Sequence, residues 1–396
     1  MSAQDSVRLL TIDEFLESQG IFWDWGLSPG NEHHLAALRG LVAADLAIET
    51  MIPYTRYDSP EARVVALKYA RDIGASELGF GARLTGSGMS AIRSALVAQG
   101  RKIVYGEVLY SLTTDYVRHL RERFGVQTYR MLAKVPPEQF LDNSSAGGVV
   151  MIFETIGNGM DMPVLDVEAM MRHVWNKGFV TFILDGTFTT CALLNPFEIY
   201  ERLRDELGEP AFQFVYIESL SKHYRAGVDG HDHASGGIVV APPTFLEKFD
   251  RLLVMGDAMP TTSLRGFPWH LVAAPEREMV SLSATTAAVV EALLRHPRVK
   301  AVHYPLGNPL LPKGAGGVFF MEIWRDAEDH SKGTITDPVE YEELLYDAGI
   351  EFRASFGHEW ATCIGMLQRV SVGKREQAPT LIDRVTRTLN DWVLID

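Results

Sequence analysis

An acidic and a basic residue each follow a short run of apolar residues near the middle of the chain. Asp185 comes directly after FVTFIL (179–184), and Lys222 comes four residues after QFVYIE (213–218). Runs of this kind predict strands that are buried on both faces of a parallel sheet. Because ligands bind beyond the carboxyl ends of such strands, we expect Asp185 and Lys222 to lie near one site.

A lysine and an acid at neighbouring strand ends are the pair that a Schiff-base cofactor of the pyridoxal type requires. The lysine bonds to the cofactor's aldehyde carbon, and it must be partly desolvated to act as a nucleophile at neutral pH. The acid keeps the pyridinium nitrogen protonated, so that the ring can accept electrons from a substrate. Either residue alone is more often a cap or a solvated surface group, so it is the pair that favours this chemistry.

A glycine-serine segment supplies a candidate phosphate site. Gly86-Ser87-Gly88-Met89-Ser90 precedes the helix-like stretch AIRSALVAQ (91–99). Backbone N–H groups and the helix dipole attract an anion to such a helix start. Ser219 and Ser221 could add hydroxyl donors to the same phosphate. The alternative is an ordinary turn, because glycine-serine turns precede many helices.

Alternating strand and helix patterns predict the architecture around these residues. Further buried strands are predicted at 102–106, 148–153 and 236–240, and DVEAMMRHVWNKG predicts a helix with Asp166 as its N-cap and Gly178 as its stop. The alternation predicts an α/β fold with a doubly wound, mostly parallel sheet. We expect an N-terminal arm at 1–60, the α/β domain at 61–245 and a smaller C-terminal α+β domain at 246–396.

The bulk composition narrows the class of protein. The net charge of −14 disfavours nucleic acid and anionic membranes as partners. No apolar run is long enough to span a bilayer, and the N-terminus lacks the pattern of a signal peptide, so we expect a cytoplasmic protein. Cys191 and Cys363 cannot form a disulfide framework, and no zinc motif is present, so no metal site is expected.

Short motifs that contain these residues occur along the chain. They are Tyr54-Thr55-Arg56-Tyr57, Ser87-Gly88-Met89, Leu109-Tyr110, Glu154-Thr155 with Asn158, Leu184-Asp185-Gly186-Thr187-Phe188, Ser219-Leu220-Ser221-Lys222, Gly230-His231, Gly236-Gly237, Leu264-Arg265-Gly266, Ser355-Phe356-Gly357 and Arg369-Val370-Ser371-Val372-Gly373. In this order they resemble the motifs of the Cys/Met-metabolism family of pyridoxal 5′-phosphate (PLP) enzymes of fold type I, whose members include cystathionine γ-synthase, cystathionine lyases, methionine γ-lyase and O-acetylhomoserine sulfhydrylase. The resemblance covers about residues 50–375, and the combination of motifs in this order is far more specific than any one of them.

The resemblance implies roles for individual residues. Lys222 would bond to the cofactor and move protons, Asp185 would pair with the ring nitrogen, and Tyr110 would stack on the ring and act as an acid or base. Ser355 and Arg369 would bind the substrate, with Arg369 holding the α-carboxylate. The implied cofactor-binding residues are Tyr54, Arg56, Ser87, Gly88, Met89, Tyr110, Asn158, Asp185, Thr187, Ser219, Ser221 and Lys222.

The resemblance also implies self-association. Tyr54 and Arg56 correspond to family residues that reach the phosphate of a neighbouring subunit. We therefore expect a homodimer or homotetramer with shared active sites. For each residue considered alone, ordinary packing or a surface position remains the alternative.

Several departures from the family pattern lie near the expected site. Tyr110-Ser111-Leu112-Thr113 stands where the family has YGGT, Gly159 stands where it has proline, and Gly186 stands where it has asparagine. An acidic segment, YERLRDELGE (200–209), lengthens the stretch between Asp185 and Lys222. These changes suggest that cofactor binding is retained while the choice of substrate has changed.

The leading hypothesis is a PLP-dependent carbon–heteroatom lyase. It would eliminate a γ- or β-substituent from a small amino acid of homoserine or homocysteine size, in a specialised pathway. The alternative is a γ-replacement synthase of the cystathionine γ-synthase or O-acetylhomoserine sulfhydrylase type. A non-catalytic PLP-binding scaffold and an aminotransferase are outside alternatives, and the retention of Lys222, Asp185, Tyr110 and Arg369 argues against the scaffold.

Overall fold

The computed structural model describes most of the chain from residue 60 onward. The described residues are 60–98, 102–131, 148–223, 236–253, 258, 276–337, 340, 344–345, 348–352, 362–365 and 368–391. The expected N-terminal arm with Tyr54 and Arg56 lies outside them, and so does Ser355.

A seven-stranded sheet forms the larger part of the molecule. Its strands are β1 (Gly81–Thr85), β2 (Lys102–Gly106), β3 (Gln127–Met131), β4 (Val149–Glu154), β5 (Val180–Asp185), β6 (Gln213–Ser219) and β7 (Gly237–Ala241). They lie in the order β1-β7-β6-β5-β4-β2-β3. Among these strands, β7 runs antiparallel to the other six, which all run in one direction. The predicted doubly wound, mostly parallel sheet is confirmed.

Helices cover both faces of this sheet. They are α1 (Pro60–Asp72), α2 (Gly88–Val97), α3 (Ser111–Phe124), α4 (Val167–Val174), α5 (Thr190–Leu193), α6 (Pro196–Leu207), α7 (Leu220–His223) and α8 (Pro243–Leu252), with a 3₁₀ turn at Ser76–Leu78. Strand alternation divides the core, because Phe182 and Leu184 pack on one face and Ile183 on the other. Phe80, on the same face as Phe182, meets the rings of Phe197 and Phe214 edge to face.

Helix α4 tests the predicted capping residues. The side chain of Asp166 accepts a hydrogen bond from the backbone N–H of Ala169 at 2.9 Å, which confirms the predicted N-cap. The helix ends at Val174, so the predicted stop at Gly178 is wrong. Trp175, the residue after the helix, is buried, and its indole donates to the carbonyl of Gly208 at 3.1 Å.

A five-stranded sheet forms the smaller part, as the predicted α+β unit requires. Its strands are β8 (Val299–His303), β9 (Val318–Ile323), β10 (Glu351–Phe352), β11 (Cys363–Gly365) and β12 (Arg369–Ser371), in the order β10-β11-β12-β9-β8. Two long helices, α9 (Glu276–Leu293) and α10 (Ala378–Asp391), pack together beside it, and a 3₁₀ turn spans His330–Lys332. Arg369 is the first residue of β12.

The described residues contain neither a membrane-spanning helix nor a metal-binding group of side chains. No described helix combines the length and the apolar content that crossing a lipid bilayer demands. No three of the described histidine, cysteine, aspartate and glutamate side chains group in a way that could hold a metal ion.

Candidate active site

A cavity opens at the carboxyl edge of the larger sheet. Strands β1, β2, β4, β5 and β6 run in one direction, so their carboxyl ends meet at this edge. The described residues that line the cavity are Ser87, Gly88, Met89, Ile92, Tyr110, Glu154, Asn158, Asp185, Thr187, Phe188, Ser219, Ser221, Lys222 and Arg369. The structure therefore brings together every predicted site residue that it describes.

Lys222 and Asp185 reach the cavity from neighbouring strands. Asp185 is the last residue of β5, and β6 runs directly into α7, which carries Lys222. Burial lowers the pKa of Lys222 to about 8, the positive charge of Arg369 contributes to the lowering, and Asp185 opposes the shift. Near neutral pH a far larger fraction of this amine is unprotonated than of an ordinary lysine amine, and the unprotonated amine is the nucleophile.

Asp185 is held by its neighbour two residues on. The backbone N–H and the hydroxyl of Thr187 both donate to Oδ1, at 2.9 and 2.5 Å. Burial raises the pKa of Asp185, and these two hydrogen bonds and Lys222 oppose the rise. Both hydrogen bonds that the described residues give to this carboxylate reach Oδ1, so Oδ2 can accept from a protonated ring nitrogen inside the cavity.

The start of α2 lines the cavity and could bind an anion there. Ser87 caps the helix, since its hydroxyl accepts from the backbone N–H of Ser90 at 3.0 Å. The first amides of a helix have no partner within it, and here they belong to Gly88 and Met89. A Cβ at Gly88 would lie 2.8 Å from the Cβ of Ser219, so glycine is needed to bring the helix start against β6.

Two hydroxyl groups near this end already take part in internal hydrogen bonds. The Thr187 hydroxyl accepts from the backbone N–H of Ser219 at 2.9 Å while it donates to Asp185. The Ser221 hydroxyl accepts from the backbone N–H of Gly236 at 3.1 Å. The first bond joins the segment after β5 to the end of β6, and the second joins the segment after β6 to the residue before β7. Both bonds hold the walls of the cavity in place.

Arg369 enters the cavity from the smaller sheet. It is buried, and its Nη1 donates to Oδ1 of Asn158 at 3.3 Å. Burial lowers the pKa of Arg369, but a guanidinium stays charged in proteins. A cation that lines the same cavity as Lys222 can bind a carboxylate there through two parallel hydrogen bonds.

Glu154 is a cavity residue to which the sequence assigned no role. It ends β4, it is buried, and it lies in register with Asp185 on β5. Its carboxylate accepts hydrogen bonds from the backbone N–H groups of Tyr110 and Asn158. The signal that could have revealed it is its position at a strand end beside the strand that carries Asp185.

Gly186 departs from the family pattern for a reason that lies in the core. A Cβ at residue 186 would lie 2.3 Å from the phenolic oxygen of Tyr216. That oxygen donates to the buried Glu218 at 2.7 Å, and Tyr69 donates to the same carboxylate oxygen at 2.5 Å. The departure therefore reflects packing behind the cavity rather than a change on its substrate side.

We expect Gly186→Ala to destabilise the protein by about 1–3 kcal/mol, because the added methyl group overpacks a filled core. Urea unfolding monitored by circular dichroism measures this change. Gly178→Ala is the matched control, since a Cβ there meets its nearest atom, the Ala211 carbonyl oxygen, at 3.5 Å. Equal stabilities of the two variants would contradict the packing argument.

The site has the features that PLP requires. A partly buried lysine of lowered pKa lies near a buried carboxylate, and a helix start offers amides for the phosphate. Fold and site together define the class of α/β proteins that bind PLP through a lysine. The family model for Cys/Met metabolism PLP-dependent enzymes matches residues 46–310, and the chain belongs to that family.

Curated relatives agree at low identity. An L-methionine γ-lyase of Fusobacterium nucleatum subsp. polymorphum is 26% identical over 269 residues, which are 64% of this chain and 60% of that enzyme. A cystathionine β-lyase of Bacillus subtilis is 26% identical over 229 residues, which are 55% of this chain and 52% of that enzyme. The chain spans about 60% of the length of the methionine γ-lyases that it matches.

Solved structures share the fold. A Campylobacter jejuni protein that contains a pyridoxyl-lysine monophosphate has a TM-score of 0.64 at 18% identity, over 93% of this chain and 95% of its own. A methionine γ-lyase of Micromonospora echinospora has a TM-score of 0.63 at 21% identity, over 85% and 88% of the two chains. The expected fold type is confirmed.

Proposed function

We propose that the chain is a PLP-dependent lyase that eliminates a γ- or β-substituent from an amino acid of homoserine or homocysteine size. The observation that carries the proposal is Lys222, which is partly buried, has a pKa lowered to about 8 and lines a cavity with Asp185 and Arg369. The methionine γ-lyases and the cystathionine β-lyase among its relatives support elimination.

The residues that line the cavity have separate roles in this proposal. Lys222, Asp185 and the amides of α2 would hold PLP, whose ring withdraws electrons from the substrate Cα when it is bound. Arg369 would bind the substrate α-carboxylate and so turn the Cα–H bond toward Lys222. Lys222 would take the Cα proton when its amine is unprotonated, and Tyr110 would donate a proton to the leaving group.

An oligomer with shared active sites would complete the phosphate site. The phosphate carries a charge near −2, and Lys222 and Arg369 are the cations among the described lining residues. Both have other roles in this proposal. Arg56 from a neighbouring subunit would supply further positive charge, so we also propose a homodimer or homotetramer, acting in the cytoplasm.

Product analysis tests elimination against replacement. The protein loaded with PLP is incubated with methionine, cystathionine, O-acetylhomoserine and a γ-halo amino acid, each with and without an added thiol. Without thiol, we expect one molecule of keto acid and one molecule of ammonia for each leaving group released. Product that forms only with thiol would identify a γ-replacement enzyme and contradict the lyase proposal.

The pH dependence of cofactor loading should follow the Lys222 amine. Only the unprotonated Nζ attacks an aldehyde, so we expect the rate of bond formation to rise with pH, with a midpoint at about 8, and to level off at higher pH. Arg369→Gln removes a positive charge that lowers this pKa, so the midpoint should move to higher pH. Stopped-flow absorbance after mixing with PLP measures the rate.

Arg202→Gln is the control for this pH profile, because Arg202 is an exposed cation on α6 that pairs with Glu168. Its midpoint should equal that of the unmodified protein. An Arg369→Gln profile that coincides with both would show that Arg369 does not act on Lys222.

A further inference from the structure

Glu154 occupies a central position under the cavity. It is the last residue of β4, and the neighbouring strands on either side are β5, which ends in Asp185, and β2, which leads to Tyr110. Its side chain is buried and lines the cavity. An ionised group in such a position is costly unless hydrogen bonds satisfy it.

The two oxygens of this carboxylate serve two different segments. Oε1 accepts from the backbone N–H of Tyr110 at 2.5 Å, and Oε2 accepts from the backbone N–H of Asn158 at 3.0 Å. Tyr110 follows β2 and Asn158 follows β4, so the two bonds join segments that are well separated in the chain. One carboxylate therefore ties together two walls of the cavity.

The connection continues beyond Asn158. The side-chain oxygen of Asn158 accepts from Arg369, which comes from the smaller sheet. Asn158 thus connects Glu154, which it contacts through its backbone, with Arg369, which it contacts through its side chain. Tyr110 joins the same network through its bond to Glu154. The connection runs from the residue expected to stack on the ring to the residue expected to bind the substrate carboxylate.

Two acceptor oxygens are needed for this arrangement. Burial, followed by the nearby Asp185, raises the pKa of Glu154 well above its usual range, although the two backbone amides and Arg369 oppose the rise. Glutamine in the same place would turn an N–H donor toward a backbone N–H donor and lose at least one of the two bonds. The isosteric change Glu154→Gln therefore tests the network without creating a cavity.

We propose that Glu154 is a positioning residue that fixes Tyr110 and, through Asn158, Arg369 before any cofactor or substrate binds. The roles of the residues that it positions rest on the proposed function, but the hydrogen bonds of Glu154 and Asn158 join only residues of the chain itself. The specific effect is preorganisation: the loops after β2 and β4 are held in one arrangement by a single buried carboxylate.

Glu218 provides the contrasting case of a buried carboxylate. It lies on β6 and accepts hydrogen bonds from Tyr69 and Tyr216. Tyr69 and Tyr216 belong to the core that packs with Phe182 and Leu184, so Glu218 stabilises packing there. Glu218→Gln is therefore the matched control: it makes the same change in another buried glutamate, one that does not line the cavity.

Amide hydrogen exchange of the cofactor-free protein, resolved to single residues, tests the proposal directly. Loss of a hydrogen bond to the buried carboxyl group should speed exchange at Tyr110, at Asn158 or at both by roughly tenfold in Glu154→Gln. Exchange in β5 and β6 should stay unchanged. In Glu218→Gln, the exchange rates of the Tyr110 and Asn158 amides, compared with those of the rest of the sheet, should equal the values in the unmodified protein.

Two further readouts separate positioning from a general loss of stability. In the loaded protein, Glu154→Gln should weaken substrate binding, seen as a higher KM, and lower kcat, whereas Glu218→Gln should alter neither at temperatures where it is folded. Uniformly faster exchange in Glu154→Gln would overturn the proposal. Rapid exchange of Tyr110 and Asn158 in the unmodified protein would overturn it without any variant, even if the protein binds PLP as proposed.

Discussion

Lys222→Ala should lower turnover of any amino-acid substrate by about 10³-fold or more, because the same amine bonds to the cofactor and moves protons. The variant should also lack the yellow absorption that a lysine-bound cofactor produces. The structure supports this expectation through the lowered pKa of Lys222 and its position near Asp185. Steady-state kinetics and the visible spectrum of the purified variant measure the two effects.

Lys374 is the sharpest control for this prediction. Its Nζ donates to the carbonyl oxygen of His223, the residue that follows Lys222, so it is a second amine close to the site. Lys374→Met should remain yellow and retain covalently bound cofactor. If Lys222→Ala keeps the colour and Lys374→Met loses it, the assignment of the reactive lysine is wrong.

Asp185→Asn should lower kcat by roughly 10²-fold while the cofactor still bonds to Lys222. Asparagine keeps the shape of the side chain and one oxygen for the Thr187 hydrogen bonds, but it has no negative charge to keep the ring nitrogen protonated. The ring then accepts electrons less well. Kinetics with a substrate that the unmodified protein turns over measure the loss, and the visible spectrum reports the bound cofactor.

Asp250→Asn controls for the loss of a partly buried negative charge. Asp250 lies on α8, pairs with Arg83 of β1 at 2.6 Å, and is not among the residues that line the cavity. Its kcat should stay close to that of the unmodified protein. An Asp185→Asn variant with the same kcat would show that this carboxylate does not act on the ring.

The main strands could be predicted from the sequence because they are buried on both faces. FVTFIL and QFVYIE are unbroken or nearly unbroken apolar runs, and they correspond to β5 and β6. β1 and β3 escaped prediction because they carry fewer apolar residues. β3 is an edge strand with exposed Gln127 and Tyr129, so its sequence lacks an apolar run.

The position of Asp185 and Lys222 at one cavity was predictable for a topological reason. Both residues come after buried strands, and parallel strands bring their carboxyl ends, with the segments attached there, to one edge of the sheet. Arg369 belongs to another sheet, and only the family resemblance indicated it. The roles of Glu154 and Gly186 depend on which side chains meet across strands, and spacing in the sequence does not contain that information.

Activity in the proposed enzyme depends on a covalent bond between Lys222 Nζ and the aldehyde carbon of PLP. Borohydride reduction of the protein mixed with PLP makes that bond permanent, and peptide mapping by mass spectrometry locates it. We predict one pyridoxyl group per chain, on the peptide that contains Lys222 and on that residue. An unlabelled chain, or a label on Lys374 with Lys222 unmodified, would contradict the assignment of Lys222 as the cofactor-binding lysine.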